Sequence, residues 1–290
     1  MSAGWPPAPE PLPLPVVDDH CHLDIPAATR DEAAEERSLD EALAAAAAVG
    51  VPRAVQVGYD VASSRWSVEA AAAHSQLLAG VALHPNEAPR LAATGRLDPA
   101  YAEIEALAQH ERVRVIGETG LDTFRTGEEG RVAQENSFRW HIDLAKRTGK
   151  VLQIHDRDAH ADVLRILAEE GAPDRTVLHC FSGDAEMARE CVRRGYVLSI
   201  AGTVTFNNAA ALREAVAVAP LELLQVETDA PYLTPTPHRG RPNASYLVPL
   251  TVRAIAAVKG CDLAELCAAL SATAEGLYGP WEPESAVAGT

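Results

Sequence analysis

His20 and His22 stand two residues apart in the stretch VVDDHCHLD, at the end of the first apolar run of the chain. In an extended strand, residues i and i+2 point to the same face, so both imidazoles aim at one spot. That is how a pair of metal ligands is presented; an exposed histidine pair at a strand end is the plainer alternative. Side chains of the same chemical kind recur downstream. His84 stands in LHPN, Glu118 and Asp122 in GETGLD, His155 and Arg157 in QIHDRDA, His179 in LHCFSG, and Glu227 and Asp229 in VETDAPYL. Imidazoles and carboxylates without thiolates suit a divalent catalytic ion with open positions. His20, His22, His155, His179, Glu118 and Asp229 together exceed the needs of one ion. They could hold two, with Glu118 bridging, and such pairs lower the pKa of a bound water and clamp both oxygens in a displacement.

Short β-rich runs alternate with Ala/Glu/Arg-rich helical stretches throughout. Strands are expected at Val16–Asp19, Arg53–Val57, Leu78–Leu83, Arg114–Glu118, Val151–His155, Thr176–His179, Tyr196–Ile200 and Leu223–Glu227. Helix signals separate them, for example Ser38 with Glu41 at the capping-box spacing and Gly50 closing the segment. A strand followed by a helix, eight times over, predicts an α/β protein with a single closed (β/α)8 barrel. An open doubly wound sheet is the runner-up, but it would usually carry a Gly-rich phosphate loop after the first strand, and DDHCHLDIP has none. In a parallel barrel the functional side chains come from the C-terminal ends of the strands. Five of the ten histidines fall at those ends, which favours the metal reading over scattered core or surface histidines.

Other residues have plainer readings. Cys21 lies between the two ligand histidines, so alternation turns it to the opposite face for packing, and Cys180 beside His179 reads the same way. His74, His110, His141 and His160 fall in or beside helical stretches and are expected in solvent. Glu227 is expected to support the site rather than ligate, and Asp122, at the end of the fourth strand, could equally be a helix cap or turn residue. The loop TPTPHRGRPN is proline-rich and basic in an otherwise acidic chain, so His238, Arg239 and Arg241 are candidates to hold phosphate over the barrel mouth.

The net charge of −16 disfavours broad electrostatic binding to duplex DNA; the run DEAAEE (Asp31 to Glu36) is expected to be solvated surface. Five scattered cysteines without a CxxC pair argue for a reducing compartment, so the protein is expected in the cytoplasm. No stretch approaches the ~20 apolar residues of a membrane span, and the first 15 residues do not read as a signal peptide. Residues 1–15 are expected to form a proline-rich, extended and mobile leader, 16–279 the barrel domain, and 280–290 a tail.

The motifs DDHCHLD, GETGLD, QIHDRDA, LHCFSG and VETDAPYLTPTPHRG occur in the order and spacing of the TatD-type metal-dependent deoxyribonucleases. The chain resembles that family from about Val16 to Tyr278. The resemblance implies a TIM-type barrel, two divalent ions (Mg, Mn or Zn) and hydrolysis of DNA phosphodiesters, often as a 3′ exonuclease acting on single strands or ends. It implies that His20, His22, Glu118 and Asp229 hold one ion and Glu118, His155 and His179 the other. Asp229 would also deprotonate or orient the attacking water, and His84, Arg157 and Arg239 would contact substrate phosphate, with His238 in the same loop. Departures lie away from the ligands: GLDTF keeps only Phe124 of an aromatic pair, Ser245 replaces a frequent proline, and Thr273 replaces a frequent asparagine. An amidase or esterase on the same barrel is the alternative, since an activated water attacks carbon as well as phosphorus. Against it, strand five ends without a lysine that could bridge two ions after carbamylation. A non-catalytic nucleic-acid-binding barrel fits least, because no ligand is missing. The sequence implies no protein partner.

Overall fold

The computed structural model describes residues 4–26 and 37–281. Its strands are β1 (Val17–Cys21), β2 (Arg53–Val57), β3 (Leu77–Val81), β4 (Val113–Asp122), β5 (Val151–Arg157), β6 (Thr176–Leu178), β7 (Val197–Ile200) and β8 (Leu224–Val226). The helices between and after them are α1 (Leu39–Ala47), α2 (Val61–Ala73), α3 (Glu87–Ala93), α4 (Leu97–Leu107), α5 (Glu128–Thr148), α6 (His160–Glu170), α7 (Ala185–Arg193), α8 (Ala210–Val218), α9 (Val248–Lys259) and α10 (Leu263–Tyr278). The strands form one eight-stranded sheet in the order β1 to β8, and Cys21 bridges Ala230 in parallel just past the end of β8. This is the (β/α)8 arrangement expected from the strand–helix rhythm.

The residues cluster into two compact units, Met1–Val55 with Gly183–Gly276 and Gln56–Ser182 with Leu277–Thr290. In the second unit, β3 is buried at every position, and β4 and β5 nearly so. Strands of a parallel sheet are covered on both faces and so read as continuous apolar runs rather than alternating ones. The register pairs Val115 with Val151 and Leu152 with Thr176, which brings the starts of β4, β5 and β6 to one level. In the first unit, β7 pairs with β8 from Leu198–Leu224 to Ile200–Val226. The expected capping box of α1 is present, with Ser38 accepting from Glu41 N–H and Glu41 accepting from Ser38 N–H.

Three expectations change. The leader is not a free arm over residues 4–15. Leu12 N–H donates to Val49, Tyr246 Oη donates to Pro6, Arg253 to Pro11 and Ser271 to Pro15, and Arg241 donates to Gly4 and Trp5. Proline lacks an N–H but keeps its carbonyl, so a proline-rich segment can be fastened entirely by donors from elsewhere. No helix was expected between Ser75 and Ala100, but α3 forms there, with Pro89 in its first turn, where a missing N–H costs nothing. Asp31–Glu36 and the end of the tail lie outside the described residues, but Trp281 is buried and belongs to the fold. No helix among the described residues is long and apolar enough to cross a membrane.

Candidate functional site

The candidate ligands form one group in each unit. In the first unit, His20 Nε2 and His22 Nε2 lie 3.2 Å apart on buried rings, so the strand-end pair converges as its spacing predicts. Two imidazole nitrogens this close need a shared proton or a shared ion between them. Asp229 Oδ1 lies 3.5 Å from His22 Nε2. Asp229 has a positive φ of 53°, a conformation that aspartate tolerates better than most residues. Its N–H donates to His20 O and His22 N–H donates to Ala230 O, so the backbone turn that carries Asp229 is tied to the end of β1.

Beneath this group, Asp18 accepts from Thr228 N–H and Oγ1 at 2.8 and 2.7 Å. Burial pushes the Asp18 carboxyl up to about 7, against hydrogen bonds from Ser245 and Thr228 that pull it down. Glu227 is fully buried in the same region, consistent with support rather than ligation. Cys21 turns away as expected, its thiol donating to Val55 O at 3.4 Å.

In the second unit, three imidazoles converge on a single oxygen. Glu118 Oε1 lies 2.6 Å from His155 Nδ1, 2.9 Å from His179 Nε2 and 3.4 Å from His84 Nε2. Two glycines in GETG make this possible. A Cβ at Gly117 would stand 2.7 Å from Gln153 O, and one at Gly120, where φ is 134°, would stand 2.1 Å from His155 O. The backbone of β5 thus closes onto β4 on either side of Glu118. Burial raises the Glu118 carboxyl, but the charges of His84 and His179 and hydrogen bonds from His155 and His179 outweigh it and hold it well below the usual range.

The imidazole nitrogens of this group are not equivalent. Asn86 N–H donates to His84 Nδ1 at 3.1 Å. Nδ1 is therefore an acceptor and the ring proton sits on Nε2, which faces Glu118: His84 is arranged to donate, not to ligate. His155 is placed differently. Its Nδ1 donates to Glu118 Oε1, and its Nε2 lies 3.4 Å from Asp122 Oδ2, a contact that would orient the ring if an ion took the place of the Nδ1 proton. Asp122 is itself held by Asn86 Nδ2 at 3.0 Å and by Arg125 N–H at 2.8 Å. Burial raises its carboxyl, but the bonds from His155, Arg125 and Asn86 bring it below the usual carboxylate range.

Asp122 is the residue that the sequence left undecided, and Asn86 and Gln134 were missed. Gln134 accepts from Asp122 N–H and donates back to Asp122 O. The signal for Asn86 was present in LHPN, where a side-chain amide follows a candidate histidine by two positions. His141 corrects an expectation: it is completely buried, not in solvent, and its Nε2 accepts from Leu83 N–H at 3.1 Å. Of the predicted substrate contacts, Arg157 lies 4.0 Å over the ring of Phe124, which is 65% exposed. Arg239 lies 3.9 Å over Phe206, and the neighbouring His238 has its pKa lowered by burial and by Arg241.

Imidazole nitrogens and carboxylate oxygens without thiolate fit a divalent ion of the borderline class in both groups. His84, Glu118 and His155 lie close enough together for Glu118 and His155 to hold an ion beside the Nε2–H of His84.

Residues 17–279 match the family described as TatD related DNase. The chain belongs to that family. It is 48% identical to the uncharacterized metal-dependent hydrolase TatD of Mycobacterium tuberculosis, over 91% of this chain and 98% of that one. It is 37% identical to the uncharacterized metal-dependent hydrolase YcfH of Escherichia coli K12, over 87% and 91%. Among solved structures, YjjV, a TatD homolog of E. coli K12, superposes with a TM-score of 0.81 at 25% identity over 91% of this chain and 98% of that one. A TatD family hydrolase of Entamoeba histolytica superposes with a TM-score of 0.80 at 18% identity, over 93% and 99%, a likeness of fold alone. The chain's family is one of metal-dependent hydrolases.

Proposed function

We propose that this hydrolase cleaves phosphodiester bonds of DNA at single-stranded 3′ ends, using two divalent ions. One would be held by His20, His22 and Asp229, the other by Glu118, His155 and His179. The observation that carries the reading is the gathering of His84, His155 and His179 on Glu118 Oε1, which sets three imidazoles and a carboxylate around one point. Divalent ions in such sets lower the pKa of a water molecule and neutralise charge on a phosphoryl oxygen. Asp229 accepts the proton from the attacking water. The Nε2–H of His84 donates to a non-bridging phosphate oxygen. Arg157 supplies a guanidinium fork for phosphate, and the exposed face of Phe124 beside it offers a surface on which a terminal base can stack. The five cysteines are free thiols, which supports a reducing, cytoplasmic location.

The test uses metal-depleted protein with magnesium, manganese or zinc added back, assayed on single-stranded DNA labelled at the 3′ or the 5′ end. Metal-dependent release of the 3′ label before the 5′ label is the expected outcome. Hydrolysis of amide or carboxylic ester substrates with no release of nucleotides would replace this reading with the amidase one.

A further inference from the structure

At the starts of β4, β5 and β6, the ends opposite Glu118, His155 and His179 on the same strands, four cations gather: Arg112, Arg114, Lys150 and Arg175. The register that pairs Val115 with Val151 and Leu152 with Thr176 puts them at one level of the sheet. A cavity of about 420 Å³ opens among them, lined by Glu111, Arg112, Arg114, Arg175 and the segment Tyr278–Gly279–Pro280.

Cations at strand starts have a plain structural use, which is to satisfy carbonyls the ladder leaves over. Three of the four have that use. Arg112 donates to Ala71, Ser75, Leu77 and Trp281 carbonyls, Lys150 to His110 and Val113, and Arg175 to Gly149 and Leu277. Arg114 does not. It is only partly exposed, its buried Nε has no partner, and among the described residues no hydrogen bond or ion pair reaches its guanidinium. Nor is any carboxylate among the described residues in ion-pair range of Lys150 or Arg175. Burial lowers Lys150 to about 8, helped by the charges of Arg114 and Arg175, so the cluster repels itself. An arginine that is half-buried, unpaired among the described residues and set among like charges is a place where a bound anion would relieve the repulsion.

We propose that this cavity is a binding site for a small phosphate-bearing molecule, at the opposite end of β4–β6 from the candidate ligands. The fork of Arg114 presents paired N–H donors that match two phosphate oxygens, while Arg112 and Arg175, already fixed by carbonyls, contribute charge without reordering. Glu111 on the lining and the acidic character of the chain favour a compact anion over a nucleic-acid backbone running across the surface.

The full chain is titrated with inorganic phosphate at constant ionic strength, by calorimetry and by thermal melting, with and without chelator. Saturable binding and a raised melting temperature are expected, unchanged by chelator and by His155→Ala. Arg114→Gln is expected to weaken binding at least tenfold and to abolish the thermal shift, while still folding, since among the described residues no hydrogen bond reaches the Arg114 guanidinium. Arg114→Lys keeps the charge but loses the fork, so an intermediate affinity is expected of it. Unchanged affinity in both Arg114 variants, or loss in His155→Ala instead, overturns the site. So does a thermal shift that matched chloride reproduces. An oligonucleotide that displaces phosphate and loses affinity itself in Arg114→Gln overturns the small-ligand assignment in favour of a nucleic-acid backbone.

Discussion

Asp18 and Thr228, 210 residues apart, are joined by two hydrogen bonds of 2.8 and 2.7 Å, with both carboxylate oxygens accepting. The pair fastens β1 to the end of β8 directly below His20 and Asp229. In Asp18→Asn one accepting oxygen becomes an NH2 group and faces a Thr228 donor. Leaving one buried donor unmet costs about 1–3 kcal/mol. Urea unfolding of this variant should show that loss, together with weakened metal binding. A stability within about 0.5 kcal/mol of wild type, the range of an ordinary surface substitution, would mean the pair fastens nothing.

The proposed function gives Asp229 two roles that substitution separates. Asp229→Asn keeps a carbonyl oxygen beside His22 and loses the basic site, since an amide takes up no proton near neutral pH. It should bind metal at near-normal stoichiometry and lose activity by ~10²–10⁴-fold, the span for a lost general base. His20→Ala should lose metal and activity together. If Asp229→Asn retains more than about a tenth of wild-type turnover, outside that span, another base takes the proton.

The proposed roles of His84 as donor and His155 as ligand predict opposite outcomes for two neighbouring histidines. His84→Ala should keep the full complement of metal and raise KM for DNA, because Nε2–H meets substrate. His155→Ala should lose one equivalent of metal by elemental analysis. Equal metal loss in the two variants would show that His84 is a ligand and that the Asn86 contact does not set its tautomer.

His141 makes stability depend on pH in a direction fixed by its surroundings. Burial lowers its pKa to about 4, partly countered by its bond to Ser137 O. Its ordinary value is 6.5, so between 6.5 and 4 the unfolded chain holds a proton that the folded one does not. Stability therefore falls as pH drops through 6.5 and levels off below 4. From pH 7.5 to 5 the loss from this group is roughly 2 kcal/mol, taking 1.36 kcal/mol per pKa unit. Urea midpoints of wild type and His141→Gln at the two pH values give the difference; parallel slopes would assign the acid sensitivity to other groups.

The fold was legible because its signals are local. Each strand is a short apolar run, most helices have a cap or a glycine stop, and eight repeats leave few alternatives. The candidate ligands were legible because they stand at the run ends. Asp122 was not, because the two glycines of GETG look like a turn that ends the strand at Glu118. In the structure they let β4 continue against β5, pairing Gly120 with His155 and Asp122 with Arg157. His141 was hidden for a related reason. It lies on the buried face of α5 with Gln134 and Ser137, polar residues that obscure the apolar period. Their partners, Asp122 and Leu83, are distant in sequence.

The fastening of the leader has a mechanical consequence. Arg241, in the same loop as His238 and Arg239, spends its guanidinium on the carbonyls of Gly4 and Trp5. Gly4 and Trp5 therefore act as a guy-line for a loop more than two hundred positions away. An affinity tag, a linker or a trimmed start at that end would slacken the loop while leaving the barrel intact, and a catalytic defect found in such a preparation would belong to the cloning, not to the enzyme.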